Sequence, residues 1–261
     1  MSEIVKNLTN LSVRAGDPAA DLTILAEGNA GALDLENDRF LVKASGVIMC
    51  KATEEDWVYL SFSKCIEILE DANKNGISQK GDKALDDLLQ NSLTPNGTKR
   101  KASIETLVHV VAFHLMGAKW SLHTHPTPVV ALASSKDGPA HYAGTLFPDE
   151  SVTCGPNPLF LPYAEPGLTL GLGVYQGVAK FMDQYGRAPG QIILGNHGLC
   201  TSGSGVDEAL ATTEIAVKAA RVRIGALSAG GISFLPQSAA EKIAFRPDEV
   251  ARRKLYAKEK K

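Results

Sequence analysis

The sequence contains no apolar run long enough to cross a bilayer, and its first residues, Met1 to Asn7, lack the apolar core of a secretory signal peptide. Cysteine is scarce and occurs in no Cys-x-x-Cys pair. The cysteines lie far apart, at Cys50, Cys65, Cys154 and Cys200. In a chain of this size they predict reduced thiols and a cytoplasmic protein.

Clustered basic charge is also missing. The chain has 27 Lys and Arg against 29 Asp and Glu, a formal net charge of -2, and the basic residues are scattered. This balance gives no support for nucleic-acid binding. Internal repeats and linker-like Pro, Ser or Gly runs are absent as well. The composition therefore predicts one globular domain over residues 1–261, with a core at about 20–230 and a C-terminal extension at 231–261.

Three histidines stand in two short motifs. His123 and His125 belong to Ser121-Leu-His-Thr-His-Pro126, and His197 follows a predicted buried strand at 191–195. In an extended strand His123 and His125 project from the same face, about 6.6 Å apart along the chain, so both imidazoles can reach one ion. Three His ligands with an open fourth position are typical of a catalytic zinc. The alternative is a strand with two hydrogen-bonded imidazoles and a His in an ordinary turn.

A carboxylate lies upstream of these motifs. The run Ser103-Ile-Glu105-Thr-Leu-Val-His109 opens a predicted helix at 104–116, with Ser103 as its N-cap and Glu105 in its first turn. There the Glu105 anion interacts favourably with the helix dipole, near the entry to the His123 strand. A first-turn glutamate is also ordinary capping chemistry. A catalytic role for Glu105 therefore depends on its combination with the histidines.

The hydrophobic pattern predicts an α/β fold. Strands are predicted at 22–26, 40–43, 57–61, 119–124 and 191–195, and helices at 63–74, 82–91, 104–116, 129–134, 168–185 and 206–228. The proline-rich segment 136–167 is predicted to be irregular. Because strands and helices mix without strict alternation, the pattern favours a mixed or antiparallel sheet over a doubly wound parallel one.

The motifs around Glu105, His123-Thr-His125-Pro126 and Asn196-His-Gly-Leu199 occur in an order and spacing that resembles the class II aldolase/adducin superfamily. The likeness runs from about residue 26 to about residue 226. It implies a three-layer α/β/α fold with a largely antiparallel central sheet. It also implies that His123, His125 and His197 carry one Zn²⁺ or another divalent ion, and that Glu105 is the catalytic acid/base.

The resemblance implies a zinc-dependent aldolase that cleaves a small ketose phosphate, or a related hydroxy-keto compound, through a metal-stabilised enediolate. Epimerases and dehydratases of sugar phosphates use the same chemistry within the family. Adducin-type members are non-enzymatic interaction modules, but they generally lack the full ligand set that this chain retains. A further alternative is a structural zinc closed by a fourth ligand such as Cys200.

Other family properties match this chain more loosely. Family phosphate loops correspond to Gly28-Asn29, Ser45-Gly46 and Ser103. This chain departs from the family loops at three places. Ala30-Gly31 follows Gly28-Asn29, and Lys43-Ala-Ser-Gly46 keeps only part of its loop. Ala102 stands where the fuculose-phosphate enzymes have a second Ser. Lys43, Arg100 or Lys101 could compensate by charge for an anionic substrate.

The resemblance implies a tyrosine as the acid/base on the oxygen of the departing aldehyde. Tyr142 lies roughly where one occurs, although a buried structural Tyr is the alternative reading of the same residue. Tyr256 could reach the site of a neighbouring subunit, because the resemblance implies a homotetramer with sites near subunit contacts. Apolar positions near the C-terminus, such as Ile243, Phe245 and Leu255, offer weak support for such contacts.

Overall fold

A computed structural model describes residues 2–257 of the chain, with side chains described through residue 253. Within these residues seven strands form one sheet, in the spatial order β3-β2-β1-β4-β7-β6-β5. The strands are β1 (Asn29–Asp34), β2 (Arg39–Lys43), β3 (Trp57–Ser61), β4 (Trp120–Thr124), β5 (Leu159–Leu161), β6 (Gln191–Leu194) and β7 (Gly198–Gly203).

The sheet is mixed, which corrects the largely antiparallel sheet implied by the family resemblance. Strand β5 pairs parallel to β6, while the other neighbouring strands pair antiparallel. The parallel pair has a physical cause in the connection, because a long helix at Leu168–Tyr185 links β5 to β6 and returns the chain to the same end of the sheet. The α/β class and the mixed sheet admitted by the sequence pattern are confirmed.

Helices cover the sheet in two groups. They are α1 (Glu3–Ala15), α2 (Phe62–Asn75), α3 (Gln79–Gln90), α4 (Thr106–His114), α5 (Thr127–Ala133), α6 (Gly138–His141), α7 (Pro148–Cys154), α8 (Leu168–Tyr185), α9 (Val206–Ser228), α10 (Gln237–Ala244) and α11 (Pro247–Ala257). Helices α2, α3, α4 and α8 pack together on one side, and α1, α5, α7, α9, α10 and α11 pack together on the other. The chain therefore forms three layers.

Helix α4 is the most deeply buried helix near the histidines. Every residue from Thr106 to Phe113 is buried, as expected for a helix that is apolar on all sides. The helix begins at Thr106 rather than at residue 104, so Glu105 is its capping residue and not a first-turn residue. Ser103 starts the turn before it, where its backbone oxygen accepts a bond of 2.6 Å from the Thr106 hydroxyl.

The predicted strand at 22–26 is wrong. The chain runs there through turns in which Ile24 and Leu25 are exposed, and β1 begins only at Asn29. Two residues adopt positive φ, Leu25 at 54° and Gly28 at 67°, which breaks extended pairing. Gly28 is required because an added Cβ would lie 2.5 Å from Thr23 Cγ2 and 3.0 Å from the His123 carbonyl oxygen.

The segment 136–167 is more ordered than predicted, since it contains α6, α7 and β5. Proline stands in the first turn of α6 and α7, where its missing N–H costs no helical bond. The core also extends N-terminally of residue 20, because α1 buries Val5, Leu8 and Leu11. Among the described residues no helix is both long and apolar enough to cross a membrane.

Candidate metal centre

Two adjacent strands and one turn deliver the three histidines to the same end of the sheet. His123 lies near the end of β4, paired with Cys200 of β7, and His125 follows one residue beyond the strand. His197 stands in the tight turn between β6 and β7, where Asn196 has a φ of 53°. Gly198 allows the close approach of these strands, since a Cβ there would lie 2.5 Å from the Thr124 carbonyl oxygen.

The three imidazoles and one carboxylate converge. One ligand atom from each of Glu105, His123, His125 and His197 lies within 4.8 Å of the others. His123 Nε2 is 3.0 Å from His125 Nε2 and 3.2 Å from Glu105 Oε2, and His197 Nε2 is 2.7 Å from Glu105 Oε1. The structure thus brings together all four residues that the sequence predicted for the metal and the acid/base.

The tautomers of two rings favour a cation between them. His123 Nδ1 lies 3.1 Å from the Leu199 carbonyl oxygen, and His125 Nδ1 lies 3.3 Å from Glu27 Oε2. Each Nδ1 donates its proton to that oxygen, which leaves a lone pair on each Nε2. Two lone pairs that face each other at 3.0 Å repel unless a positive charge lies between them. The donor set therefore fits a divalent ion bound by imidazoles.

Electrostatics keep Glu105 ionised and His125 uncharged. Burial lowers the pKa of His123, but Cys200 and Glu105 outweigh it and hold that pKa above its usual range, so a metal bound at Nε2 would displace a proton there. Burial and the neighbouring His123 lower the pKa of His125 to about 3, so this ring is an uncharged donor at neutral pH. Burial alone would raise the pKa of Glu105, but the charges and hydrogen bonds of His123 and His197 outweigh it and hold that pKa far below its usual range. Glu105 is thus an anion beside the cluster.

Comparison with known proteins identifies the family of this chain. The family model for the class II aldolase and adducin N-terminal domain matches residues 10–224. The chain is a member of the class II aldolase/adducin family. No curated protein matches the chain in sequence.

Solved structures share the fold at low identity. The N-terminal class II aldolase domain of a conserved protein from Thermoplasma acidophilum is 24% identical, with a TM-score of 0.63, over 85% of this chain and 94% of that one. An L-fuculose 1-phosphate aldolase is 18% identical (TM-score 0.66, 94% and 95% covered). A sugar-phosphate aldolase from Thermotoga maritima is 17% identical (TM-score 0.60, 90% and 98% covered). At these identities the likeness supports the class II aldolase fold alone.

The hydrogen bonds that link His109 through Asn29 to Glu105 were not predicted from the sequence. Asn29 lies beside His123 across β1 and β4, and its Nδ2 donates to Ser103 Oγ at 3.1 Å and to Glu105 Oε2 at 3.2 Å. His109 Nε2 hydrogen-bonds to Asn29 Oδ1. The available signal was the spacing: His109 follows Glu105 by four residues, so both side chains lie on one face of α4.

Two charged residues, Glu27 and Lys43, lie close to the metal-centre cluster. Glu27 orients His125, as noted above, and it directly precedes the predicted Gly28-Asn29 loop. Lys43 is buried, and its Nζ donates to the Ala26 carbonyl at 2.9 Å and to the Val47 carbonyl at 2.5 Å. Burial lowers the pKa of Lys43 to about 8, although the charges of Glu105 and Glu27 raise it.

The predicted phosphate-loop residues fall close to one another. Ser103 N donates to the Lys43 carbonyl at 3.1 Å, and Ser45 N donates to the Lys101 carbonyl at 2.8 Å, so the two loops lie side by side. Ser45 and Gly46 are exposed. Gly46 has a φ of 80°, and no atom lies within 4 Å of the position that a Cβ would take there. Asn29, by contrast, is fully buried and already bonded to Ser103 and Glu105. Phosphate binding by these loop residues therefore stays a prediction.

Tyr142 is placed in a different cluster. Its ring is buried, and the guanidinium of Arg223 lies 4.9 Å from the ring centroid. Burial raises the pKa of the Tyr142 phenol, and its hydroxyl has no hydrogen-bond partner among the described residues. A catalytic role for Tyr142 stays a prediction. The side chains of Tyr256 and Leu255 lie outside the described residues.

Proposed function

We propose that the protein is a zinc-dependent aldolase that cleaves a small ketose phosphate, or a related hydroxy-keto compound, by retro-aldol chemistry. The observation that carries this proposal is the contact of Glu105 with two imidazoles of a three-histidine cluster, with Nε2–Oε distances of 2.7 and 3.2 Å. That arrangement supports a bound ion with an acid/base carboxylate beside it. We place the activity in the cytoplasm, because the cysteines are free thiols.

The histidines and Glu105 have separate tasks in this proposal. His123, His125 and His197 would hold the ion, and Glu27 and the Leu199 carbonyl keep the first two rings in the tautomer that leaves Nε2 free. A divalent ion bound there would supply Lewis-acid polarisation of the substrate carbonyl and its neighbouring hydroxyl. Because an imidazole binds a metal in its neutral form, three such ligands would leave the ion its full charge.

Glu105 would move the proton at the carbon next to that carbonyl. Its side chain is 12% exposed, so it is shielded from bulk water yet open to a substrate. The Asn29 amide donates to one of its oxygens, which fixes the carboxylate relative to the cluster. Since its pKa is held low, Glu105 is an anion that would take up the hydroxyl proton released as the carbon–carbon bond breaks and the aldehyde forms. It would then give a proton to the enediolate carbon next to the carbonyl.

An anionic substrate is supported by the loops beside Glu105. The hydroxyl of Ser103 contacts the Asn29 amide, and Ser45 bonds to Lys101 in the same segment as Ser103. These residues, with the backbone at Gly28 and the exposed Gly46, would bind a phosphate. Lys43 adds a partly buried positive charge below these loops, held by the Ala26 and Val47 carbonyls.

The group that relays the hydroxyl proton of the departing aldehyde would be Tyr142 or a residue of a second subunit in this proposal. Tyr142 lies against Arg223. A residue of another chain in a homotetramer is the second route that the resemblance implied. Phe245 and Ile24 are exposed apolar side chains that a subunit contact could cover. Light scattering that gives a stable monomer would remove this route.

Metal content and product analysis test the proposal together. We expect about one zinc per chain by plasma mass spectrometry, lost in His123→Ala. On a panel of ketose phosphates that includes L-fuculose 1-phosphate, NMR should detect two fragments. A carbon skeleton kept intact would instead identify an epimerase or a dehydratase, and a folded chain that takes up no divalent metal would favour an adducin-like interaction module.

The Glu105→Gln variant tests the base. It keeps the shape of the side chain and removes its ability to accept a proton. We expect zinc content to remain near one per chain while kcat falls by roughly 10³-fold or more, which corresponds to about 4 kcal/mol of barrier. Wild-type kcat in Glu105→Gln would show that another group moves the proton.

A further inference from the structure

The Asn29 side chain stands at the junction of the phosphate loops, the acid/base and the metal ligands. Its amide nitrogen faces Ser103 Oγ at 3.1 Å and Glu105 Oε2 at 3.2 Å, and its oxygen faces His109 Nε2. Asn29 and His109 are both fully buried. An amide has two ends of nearly equal size, so hydrogen-bond partners alone decide which end points at Glu105.

We infer that His109 is a positioning residue that holds the Asn29 amide with its NH₂ group toward Ser103 and Glu105. If the amide turned over, its oxygen would face the Glu105 carboxylate, and two acceptors would meet without a proton. Ser103 cannot prevent this, because a hydroxyl both donates and accepts. His109, by donating from Nε2, rejects the turned-over amide from the opposite end.

The tautomer of His109 follows from its surroundings. Burial lowers the pKa of His109 to about 3, so the neutral ring carries one proton. His109 Nδ1 is buried without a hydrogen-bond partner among the described residues. A proton on Nδ1 would be a buried donor without an acceptor, which destabilises the folded protein. A proton on Nε2 instead meets the acceptor Asn29 Oδ1.

Packing keeps the ring in this place. His109 stacks on Phe113, with 6.4 Å between ring centroids and 26° between planes. On the opposite strand, a Cβ at Gly31 would lie only 3.0 Å from the His109 ring. Because Gly31 has no side chain, the His109 ring can pack directly against β1. Glu105 caps α4 and His109 follows four residues later within it, so the start of this helix contacts both ends of the Asn29 amide.

The tautomer can be measured in the wild-type protein without any variant. Long-range ¹H–¹⁵N NMR of the zinc-loaded chain should place the His109 proton on Nε2 and show slow solvent exchange of the Asn29 NH₂ protons. A proton on His109 Nδ1 would overturn the inference. This measurement does not depend on the proposed aldolase activity.

Two variants of equal length separate positioning from packing. His109→Gln places an amide N–H near the position of Nε2, and His109→Met fills similar space without a donor. In Co²⁺-loaded protein, whose visible absorption reports the ligand geometry, we expect the Gln spectrum to match wild type. We expect the spectrum of His109→Met to move toward that of Glu105→Gln. Each of these three variants should hold about one metal ion per chain.

The kinetic arm depends on the proposed function. With a ketose phosphate that the wild type cleaves, His109→Met should lower kcat roughly tenfold or more and His109→Gln should restore it to within about threefold. Wild-type spectra and kcat in His109→Met would overturn the inference, and so would equal losses in both variants when both melt cooperatively. If the spectra separate as expected but the wild type cleaves no ketose phosphate, the aldolase proposal fails and the positioning role stands.

Discussion

Among the described residues, the cluster around Arg223 and the metal-centre cluster both contain charged side chains, and they are built in opposite ways. Arg223 and Glu150 form an ion pair of 2.8 Å with neither side chain exposed. Glu150 also accepts from Leu146 N at 2.8 Å and from Gln191 Nε2 at 3.3 Å, and Arg223 donates to the Gly144 carbonyl at 2.8 Å. Opposite charges within the pair cancel, as a buried structural ion pair requires.

In the metal-centre cluster the carboxylate contacts imidazoles rather than a Lys or Arg side chain. The Nε2 atoms of His123 and His125 face each other at 3.0 Å. His125 is 19% exposed and Glu105 12%, so this cluster is also open to solutes. The comparison shows how a structural cluster differs from a binding cluster: the first is closed and neutralised, and the second is open and short of positive charge.

The largest expected effect breaks the closed cluster. Arg223→Met removes the cation and leaves Glu150 buried without its partner. We expect a loss of about 3–5 kcal/mol in the free energy of unfolding, measured by chemical denaturation. Metal content per folded chain should not change. The double variant with Glu150→Gln should recover part of the loss, and a loss below about 1 kcal/mol would mean that the pair is not a structural centre.

Zinc should supply the charge that the open cluster lacks. At a free zinc concentration of about 100 times Kd we expect the free energy of unfolding to rise by about 2.7 kcal/mol. His197→Ala should lose most of this gain, whereas Arg223→Met should keep it at its lower baseline. Differential scanning calorimetry with and without zinc measures both. An equal gain in His197→Ala would place the bound metal elsewhere.

Acid should weaken the neighbourhood of the open cluster through His109. Its folded-state pKa is about 3 while the unfolded value is 6.5, so between these values the unfolded chain binds more protons. Stability from this group is therefore complete above pH 6.5 and is lost as pH falls toward 3. We expect His109→Gln to gain about 2 kcal/mol relative to the wild type between pH 7 and pH 4.5. Denaturation curves that shift in parallel over this range would contradict the assignment.

The smallest expected effect concerns Tyr142, which belongs to the closed cluster. Its buried hydroxyl has no partner among the described residues, so Tyr142→Phe should change the free energy of unfolding by less than about 1 kcal/mol. Cleavage measured on the same variant tests the catalytic role implied by the family. A fall in kcat of roughly 10²-fold or more would support that role, and an unchanged kcat would leave Tyr142 as packing under Arg223.

Elements with strong periodicity were predictable from the sequence. The helices at Leu168–Tyr185 and Val206–Ser228 and the strand at Trp57–Ser61 have the predicted bounds. Predictions failed where backbone conformation overrides composition. The apolar run at 22–26 is broken by Leu25 and Gly28 in positive φ, and short helices and a strand lie hidden in the proline-rich segment 136–167.

Within the site, the sequence by itself determined the chemical donors. Alternation along β4 and the His197 turn predicted a cluster of imidazoles, and the family motif added Glu105; the structure brings all four within 4.8 Å. Such predictions work because they depend on residue type and on spacing within one element.

Only the tertiary structure decided how those donors are held. Glu27 and the Leu199 carbonyl set the tautomers, and His109 reaches Asn29 from another layer. Tyr142 packs against Arg223, which is far along the chain. These pairings join residues that are distant in sequence, and a hydrogen bond depends on tenths of an ångström and on direction. Local pattern carries no such information, so packing of the three layers settles which polar atoms meet.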